Sequence, residues 1–301
     1  MFLKSNFFFK IYVVNYLISL RPWQWSKNVL IFVPFVLTSN NVNSEVLKVF
    51  ITFLIFSFFV SGTYILNDIN DIYLDKLHLT KKNRPIAAGK ISEIQAKFFA
   101  YFLIILNLII SYFIKIEITI LMIIYLIVTT SYSRFLKYKN FYDSASIAIL
   151  FLVRLQVGGA AADIEITINL SLFIFFMSYL LSVSKKLSII NNDDSLNENK
   201  FKQLLSSQNQ QINFEYIHIL LISLSSFTFI FWILENINTS TSQFKLILLI
   251  FSLILFFILN LLIYKHSKKG QMEDFIIGIL KNKELLVTTL LFTVTFLIGY
   301  I

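Results

Sequence analysis

The stretch Asn67-Asp68-Ile69-Asn70-Asp71-Ile72-Tyr73-Leu74-Asp75 follows directly on an apolar run ending Tyr64-Ile65-Leu66. If the helix of that run continues, Asp68, Asp71 and Asp75 share a face, because residues three, four and seven apart lie within about 60° of one another. Three carboxylates on one stripe repel unless a cation neutralises them. An oxygen-only set, with no His or Cys among it, favours a hard cation, Mg²⁺ before Ca²⁺. Mg²⁺ takes one or two carboxylates and completes its shell with water and substrate phosphates. A merely solvated helix end explains the stripe less well, since acids are badly placed at the negative end of the helix dipole.

Other groups gather near this stripe in sequence. Lys81-Lys82-Asn83-Arg84-Pro85 follows it. Arg binds phosphate in a bidentate fork and Lys supplies a point charge, so basic residues beside a carboxylate–metal site suit a polyanionic ligand. Arg21-Pro22-Trp23-Gln24-Trp25-Ser26-Lys27-Asn28 opens the first apolar segment. Its Trp residues fit an aromatic belt, whereas Lys27 and Asn28 are polar groups inside a span and need a reason to be there. Tyr132 through Lys137 and Asp143 follow further on, and Arg154 sits in the middle of an apolar segment. An arginine in hydrocarbon costs about 2.5–3.5 kcal/mol on insertion scales, so it should face a polar cavity, a lipid phosphate or an acidic partner. Lys185-Lys186 opens a later polar loop that continues to Asp193-Asp194. Two adjacent Asp do not share a helix face, so Asp193 and Asp194 read as loop solvation. His78, His218 and His266 are scattered and make no zinc site.

Membrane helices must position these groups. Of 301 residues 57% are hydrophobic and 14% charged, with a mean hydropathy of +0.74. A typical soluble domain carries about 25% charged residues. A hydrocarbon core of about 30 Å needs roughly 17–25 apolar residues per helix. Nine segments meet or approach that length: 24–39, 46–66, 94–113, 118–131, 143–161, 168–184, 216–234, 245–264 and 284–301. Residues 1–20 read as an interfacial helix, since no small-residue cleavage site follows them. Most of the 26 Lys and Arg fall before the first segment or in the even-numbered loops. The positive-inside rule then puts the N-terminus and those loops in the cytoplasm and the C-terminus outside. It also accounts for the net charge of +9 without nucleic acid. The even loops are the long ones, so chemistry is expected on the cytoplasmic side of a single domain, 1–301. Without cysteine there are no disulfides and no thiolate metal sites.

At these residues the sequence resembles the UbiA superfamily of intramembrane prenyltransferases, nine-helix proteins with an Asp-rich motif after the second span. The resemblance covers the whole chain. Within that superfamily it is similar to the decaprenyl-phosphate phosphoribosyltransferases. The matching residues are Arg21-Pro22-x-Gln24-Trp25-x-Lys27-Asn28 and Asn67-Asp68-x-x-Asp71-x-x-x-Asp75. They continue with His78, Lys81, Arg84-Pro85-Ile86-Ala87, Tyr132-Ser133, Leu136-Lys137, Asp143, Arg154 and Gly158-Gly159-Ala160. Lys185-Lys186 stands where that family has a Lys-Arg pair, and Glu273-Asp274 also matches. Leu79 replaces a common Pro, and Asn282 a usual Asp.

The resemblance implies an all-α bundle of about nine transmembrane helices with a cytoplasm-facing cavity, in a bacterial-type inner membrane. It implies Mg²⁺-dependent transfer of a 5-phosphoribosyl group from phosphoribosyl diphosphate to a polyprenyl phosphate, for cell-envelope polysaccharide precursors. Asp68, Asp71 and Asp75 would be the metal and catalytic set. Lys27, Asn28, Asn67, Lys81, Arg84, Tyr132, Lys137, Arg154, Lys185 and Lys186 would bind substrate. Two other readings stand beside it. One is an aromatic prenyltransferase using a polyprenyl diphosphate. The other is a transporter, which the lack of paired Gly/Pro-broken helices in two halves disfavours.

Overall fold

The computed structural model describes residues 13–38, 42–78, 80–137, 141–191, 208–237 and 242–300. Among them there is no strand, and the helices follow the apolar segments closely. Residues 13–20 form α1. After Arg21 comes a 3-10 helix, Pro22–Phe32, which passes into α2, Val33–Thr38. The remaining helices are α3 (Val42–Asn70), α4 (Ile72–Leu77), α5 (Glu93–Ile114), α6 (Ile116–Ser131), α7 (Tyr142–Ala162) and α8 (Ile168–Asn191). They are followed by α9 (Gln208–Asn236), α10 (Gln243–Lys268), α11 (Phe275–Lys281) and α12 (Lys283–Tyr300).

Eight of these are long and apolar enough to cross a membrane: α3, α5, α6 with its π-helical extension to Leu136, α7, α8, α9, α10 and α12. The ninth expected segment, 24–39, is not a regular α-helix. Pro22 starts it and Pro34 falls inside it, and most of its length is wound as a 3-10 helix. Several spans also outrun their apolar stretch. α3 continues to Asn70 and α8 to Asn191, because backbone hydrogen bonding does not stop where the lipid-facing side chains do. Asp193 and Asp194 lie outside the described residues.

Tertiary contacts divide the chain into two compact units, Met1–Lys137 with Val153–Glu165, and Tyr138–Leu152 with Ile166–Ile301. The boundary falls inside α7. In the first unit α5 packs along α3 through small residues. A Cβ on Gly62 would meet Ile104 at 2.9 Å and the Ala100 carbonyl oxygen at 3.0 Å. Close approach over Gly and Ala is how helices attract one another in lipid, where no hydrophobic driving force separates them from the acyl chains. At one end of this unit Asp163 accepts from Lys48 (2.5 Å) and Lys115 (2.7 Å). Those two hydrogen-bonded ammonium groups, Lys115 foremost, hold the Asp163 carboxyl below the usual carboxylate range. Lys48, at the start of the predicted second segment, is brought to one place with Lys115 and Asp163 from predicted odd-numbered loops. The second unit is built on Leu180, Val183, Leu187, Phe214, Leu221, Ile263 and their neighbours from α8, α9 and α10. A stack of Phe173, Phe229, Phe256, Phe292 and Phe296 extends that core.

Candidate active site

The acidic stripe straddles a break in the helix. α3 ends at Asn70, Asp71 takes φ −96° and ψ 4°, and α4 resumes at Ile72. The hydrogen-bond ladder nevertheless runs through. The Asp71 amide donates to the Asn67 carbonyl (2.9 Å), and the Asp75 amide to the Asp71 carbonyl (2.8 Å). Helical spacing is thereby preserved across the junction. Asp68 and Asp75 are buried, each 4% exposed, while Asp71 is half-buried.

Each carboxylate meets a cation. Nη1 of Arg84 donates to Asp68 Oδ1 (3.1 Å) and to Asp75 Oδ2 (2.6 Å). Arg21 also donates to Asp68, through Nη2, and its guanidinium carbon lies 5.7 Å from the Tyr64 ring centre. Asp71 Oδ2 accepts from Lys137 Nζ at 2.5 Å. Arg21, Asp68, Arg84 and Asp75 thus form one connected network, and Asp71 with Lys137 forms a separate pair, all within the first unit.

Local sequence explains how the bases get there. After Arg84 the chain turns through Pro85, whose carbonyl accepts from the Lys90 amide at 2.8 Å. Ile86 and Ala87 are buried, and Ile86 and Ile91 pack with Leu20, Ile65, Ala96, Ala100 and Leu103. That core anchors the loop and leaves Arg84 facing the acids. Ser92 and Gln95 then make a reciprocal capping box that starts α5. Arg21 sits at φ 52°, ψ 57°, a left-handed conformation that non-glycine residues rarely adopt. The following Pro22 disfavours the right-handed helical region at Arg21. The strain coincides with a side chain aimed at Asp68, as strained residues at functional sites do.

A second polar cluster lies within the same unit. Arg154, 2% exposed, donates through Nε to Asn28 Oδ1 (2.8 Å) and through Nη2 to the Tyr125 hydroxyl (2.9 Å), with its guanidinium carbon 5.1 Å from that ring's centre. Asn28 in turn donates to Ser57 Oγ at 3.0 Å. These partners supply the polar surroundings expected of an arginine within an apolar segment. Trp25 departs from the aromatic-belt expectation too: its indole donates to Ser61 (3.0 Å) and its ring meets Phe58 edge-on. Trp23 is exposed.

The other expected site residues are distributed as follows. Asn67 Oδ1 accepts from the Ser133 hydroxyl. Tyr132 begins the π-turn that ends at Lys137. Lys27 is exposed, and the Lys81 amide approaches His78 Nδ1 at 3.4 Å. Lys185 and Lys186 belong to the second unit. Lys185 is exposed, whereas Lys186 is buried, donates to Asp143, and lies 5.4 Å from the Phe214 ring centre. Lys186, expected with Lys185 to bind substrate, is ion-paired with Asp143 from α7. Arg21 is the contributor to the acidic cluster whose role the sequence reading missed. Its signal was present in the Arg-Pro-Trp-Gln motif ahead of the first span.

Among the described residues no group of three His, Cys, Asp or Glu is disposed to hold a metal alone. The donor chemistry still suits Mg²⁺ in its usual mode. Oxygens of Asp68 and Asp75 both bind one nitrogen of Arg84, so a single cation can reach both. One or two carboxylates completed by phosphate oxygens is how Mg²⁺ is ordinarily held.

The fold and this cluster define a polytopic helical membrane protein with a carboxylate–guanidinium site at one helix end. The UbiA prenyltransferase family model matches residues 28–280, and the chain belongs to that family. It is 32% identical over 173 residues to the decaprenyl-phosphate phosphoribosyltransferase of Mycolicibacterium smegmatis, a match covering 56% of this chain and 54% of that protein. The chain spans about half the length of the curated relatives it matches. A solved digeranylgeranylglyceryl phosphate synthase superposes with a TM-score of 0.70 at 22% identity, over 96% of this chain and 98% of that one. A UbiA homologue from Archaeoglobus fulgidus, bound to GPP and Mg²⁺, superposes with a TM-score of 0.67 at 17% identity, over 95% and 98%. These likenesses extend to the fold.

Proposed function

We propose that this chain, acting as a single transferase domain, moves a 5-phosphoribosyl group from phosphoribosyl diphosphate to a polyprenyl phosphate on the cytoplasmic face of a bacterial-type inner membrane. The product would feed cell-envelope polysaccharide precursors. The observation that carries the reading is the pairing of every acid of the stripe with a base: Asp68 and Asp75 with Arg84, Asp68 also with Arg21, and Asp71 with Lys137. A magnesium diphosphate has a cationic and an anionic part, and this cluster holds a complement to each. The two sets pair with one another. When substrate arrives, the acids turn to metal and the bases to phosphate oxygens, so both exchanges keep the buried charges paired. The name carried by the mycobacterial relative supports phosphoribosyl diphosphate as the donor.

In the reaction, an oxygen of the lipid phosphate attacks the anomeric carbon. A carbon–oxygen bond forms, the bond from that carbon to diphosphate breaks, and diphosphate leaves with the electron pair. Mg²⁺, when bound by Asp68 and Asp75, would supply charge neutralisation on the leaving group. Arg84 and Lys137 would bind phosphate oxygens and hold the sugar in line, and Arg21 would orient Asp68 through their ion pair. Lys27 and Lys81 are exposed or half-exposed cations suited to outer phosphate contacts.

Purified protein with Mg²⁺ should convert radiolabelled phosphoribosyl diphosphate and polyprenyl phosphate to a lipid-extractable product. It should make none from polyprenyl diphosphate and 4-hydroxybenzoate. Product only in the second mixture would establish an aromatic prenyltransferase instead, and product in neither would leave the chain without transferase activity on these substrates.

A further inference from the structure

A second polar recess lies away from the acidic cluster. Between α3, α5 and the end of α6 is a cleft of about 220 Å³. Lys97 from the first turn of α5 and Arg134 from the π-turn after α6 line it, together with Asn67, Asn70, Thr130 and Tyr101. No carboxylate lines it. Lys97 and Arg134 are exposed, and among the described residues neither makes an ion pair. Two uncompensated cations in one cleft, beside amide and hydroxyl groups, form a receptor for an anion with several acceptor oxygens.

Position selects the anion. Lys97, Arg134, Asn67 and Asn70 all lie near one end of their helices, the level of the membrane interface. Below Lys97, α5 presents Phe98, Tyr101, Phe102 and Ile105 outward, 51–76% exposed. An apolar face running into hydrocarbon from a cationic recess is the shape of a lipid site: head group above, acyl chains along the helix. The volume fits a phosphate head group and falls short of the roughly 300 Å³ at which pockets begin to enclose whole drug-sized ligands. Around α3, Asn67 and Asn70 lie on the cleft side while Asp68 lies roughly 100° or more away, and Asp71, although about 40° round the helix from Asn67, does not line the cleft. A phosphate in the cleft is therefore on a different face from Asp68.

We propose that the α3–α5–α6 cleft binds the head group of an anionic glycerophospholipid of the surrounding bilayer, as a site separate from the carboxylate cluster. It does not rest on the proposed transferase reaction, and its readout is lipid retention rather than turnover.

The test is native mass spectrometry of the full chain from micelles offering phosphatidylglycerol and phosphatidylcholine equally. Wild-type protein should retain phosphatidylglycerol in preference by about thirtyfold, the scale expected of two interfacial cations. K97Q/R134Q should lose that preference, and D75N should keep it. Both cations are exposed, so K97Q/R134Q is expected to fold, and the smaller change T130V, within the cleft, should weaken retention as a check. Retention unchanged in K97Q/R134Q, or no preference in wild type, overturns the proposal. So does displacement of the lipid by equimolar inorganic phosphate, which would make this a soluble-anion site. Displacement by equimolar polyprenyl phosphate overturns it as well, by assigning the cleft to that lipid.

Discussion

Arg84 bridges Asp68 and Asp75, and the two acids are nearly excluded from solvent. Without Arg84, Asp75 loses its ion-pair partner and Asp68 keeps Arg21 alone, so the space between the two acids is open to another cation. Removing the bridge therefore tests the metal reading without an activity assay. In Arg84→Gln, Mg²⁺ is the available replacement, and a ligand binding only the folded state raises stability as its concentration exceeds its Kd. Millimolar Mg²⁺ should raise the unfolding temperature of this variant by several degrees, and by clearly less in wild type, where Arg84 competes. A variant indifferent to Mg²⁺ would remove Asp68 and Asp75 from consideration as a metal pair. The Lys186–Asp143 pair is a different case, because both side chains are 7% exposed and face each other. Loss of one partner strands a buried charge, at a cost of about 3–5 kcal/mol. Lys186→Met and Asp143→Leu should each destabilise by that order, and the double variant should recover most of it. Measured by thermal unfolding in one detergent, additive losses would show that the two residues do not depend on one another. The identities of the acids and of Arg84 and Lys137 were legible from type and spacing. Their pairing was not, since it depends on how Pro85 and the π-turn at Tyr132 redirect the chain.

Helix packing explains motif residues that do no chemistry. Gly158 belongs to the Gly-Gly-Ala run quoted for the family resemblance, and it lies in α7 against the 3-10 helix. A Cβ there would stand 2.2 Å from the Ile31 carbonyl oxygen and 2.8 Å from its carbon. Both are backbone atoms, which cannot rotate away. Overpacking against movable side chains costs about 1–3 kcal/mol, so a backbone clash should exceed that. Gly158→Ala is expected to lower the unfolding temperature sharply and to loosen the seat of Asn28, three residues before Ile31. Arg154, one helical turn before Gly158, binds that Asn28, so the same variant should reduce activity per folded molecule. A Gly158→Ala protein with wild-type stability would mean that the two segments can separate at no cost. Sequence could mark Gly158 as special only through the resemblance. The reason, a neighbouring main chain from 127 positions earlier, is a long-range fact. Eight spans were legible in number and place because apolar length is a local property with a physical ruler, whereas the ends of α8 and α9 run well past their apolar stretches.

Across the whole chain, the first span is where local reading fell short and where topology turns. Residues 24–39 carry enough apolar side chains for a span, yet Pro22 and Pro34 prevent one regular α-helix. The structure gives an 11-residue 3-10 helix followed by 6 residues of α-helix. An α-helix of that combined length would fall short of the hydrocarbon core. A 3-10 helix rises about 2.0 Å per residue against about 1.5 Å for the α form, so the two pieces together reach about 31 Å, against a core of about 30 Å. Looser winding thus makes up in rise what the segment lacks in residues. If it crosses, the chain ahead of Arg21 and the Arg84 loop are separated by two spans and lie on the same face. If it only enters and returns, one span separates them and they lie on opposite faces. The basic residues on both sides, Lys4, Lys10, Arg21 and Lys27 on one and Lys76, Lys81, Lys82, Arg84 and Lys90 on the other, favour a common cytoplasmic face. Single cysteines can be placed in this cysteine-free chain at Ser5 and at Lys90 and probed in intact cells with a membrane-impermeant thiol reagent. Both should be protected until the membrane is permeabilised, whereas a cysteine at Tyr300 should react at once. Opposite labelling of the Ser5 and Lys90 positions would show that the 3-10 segment does not cross.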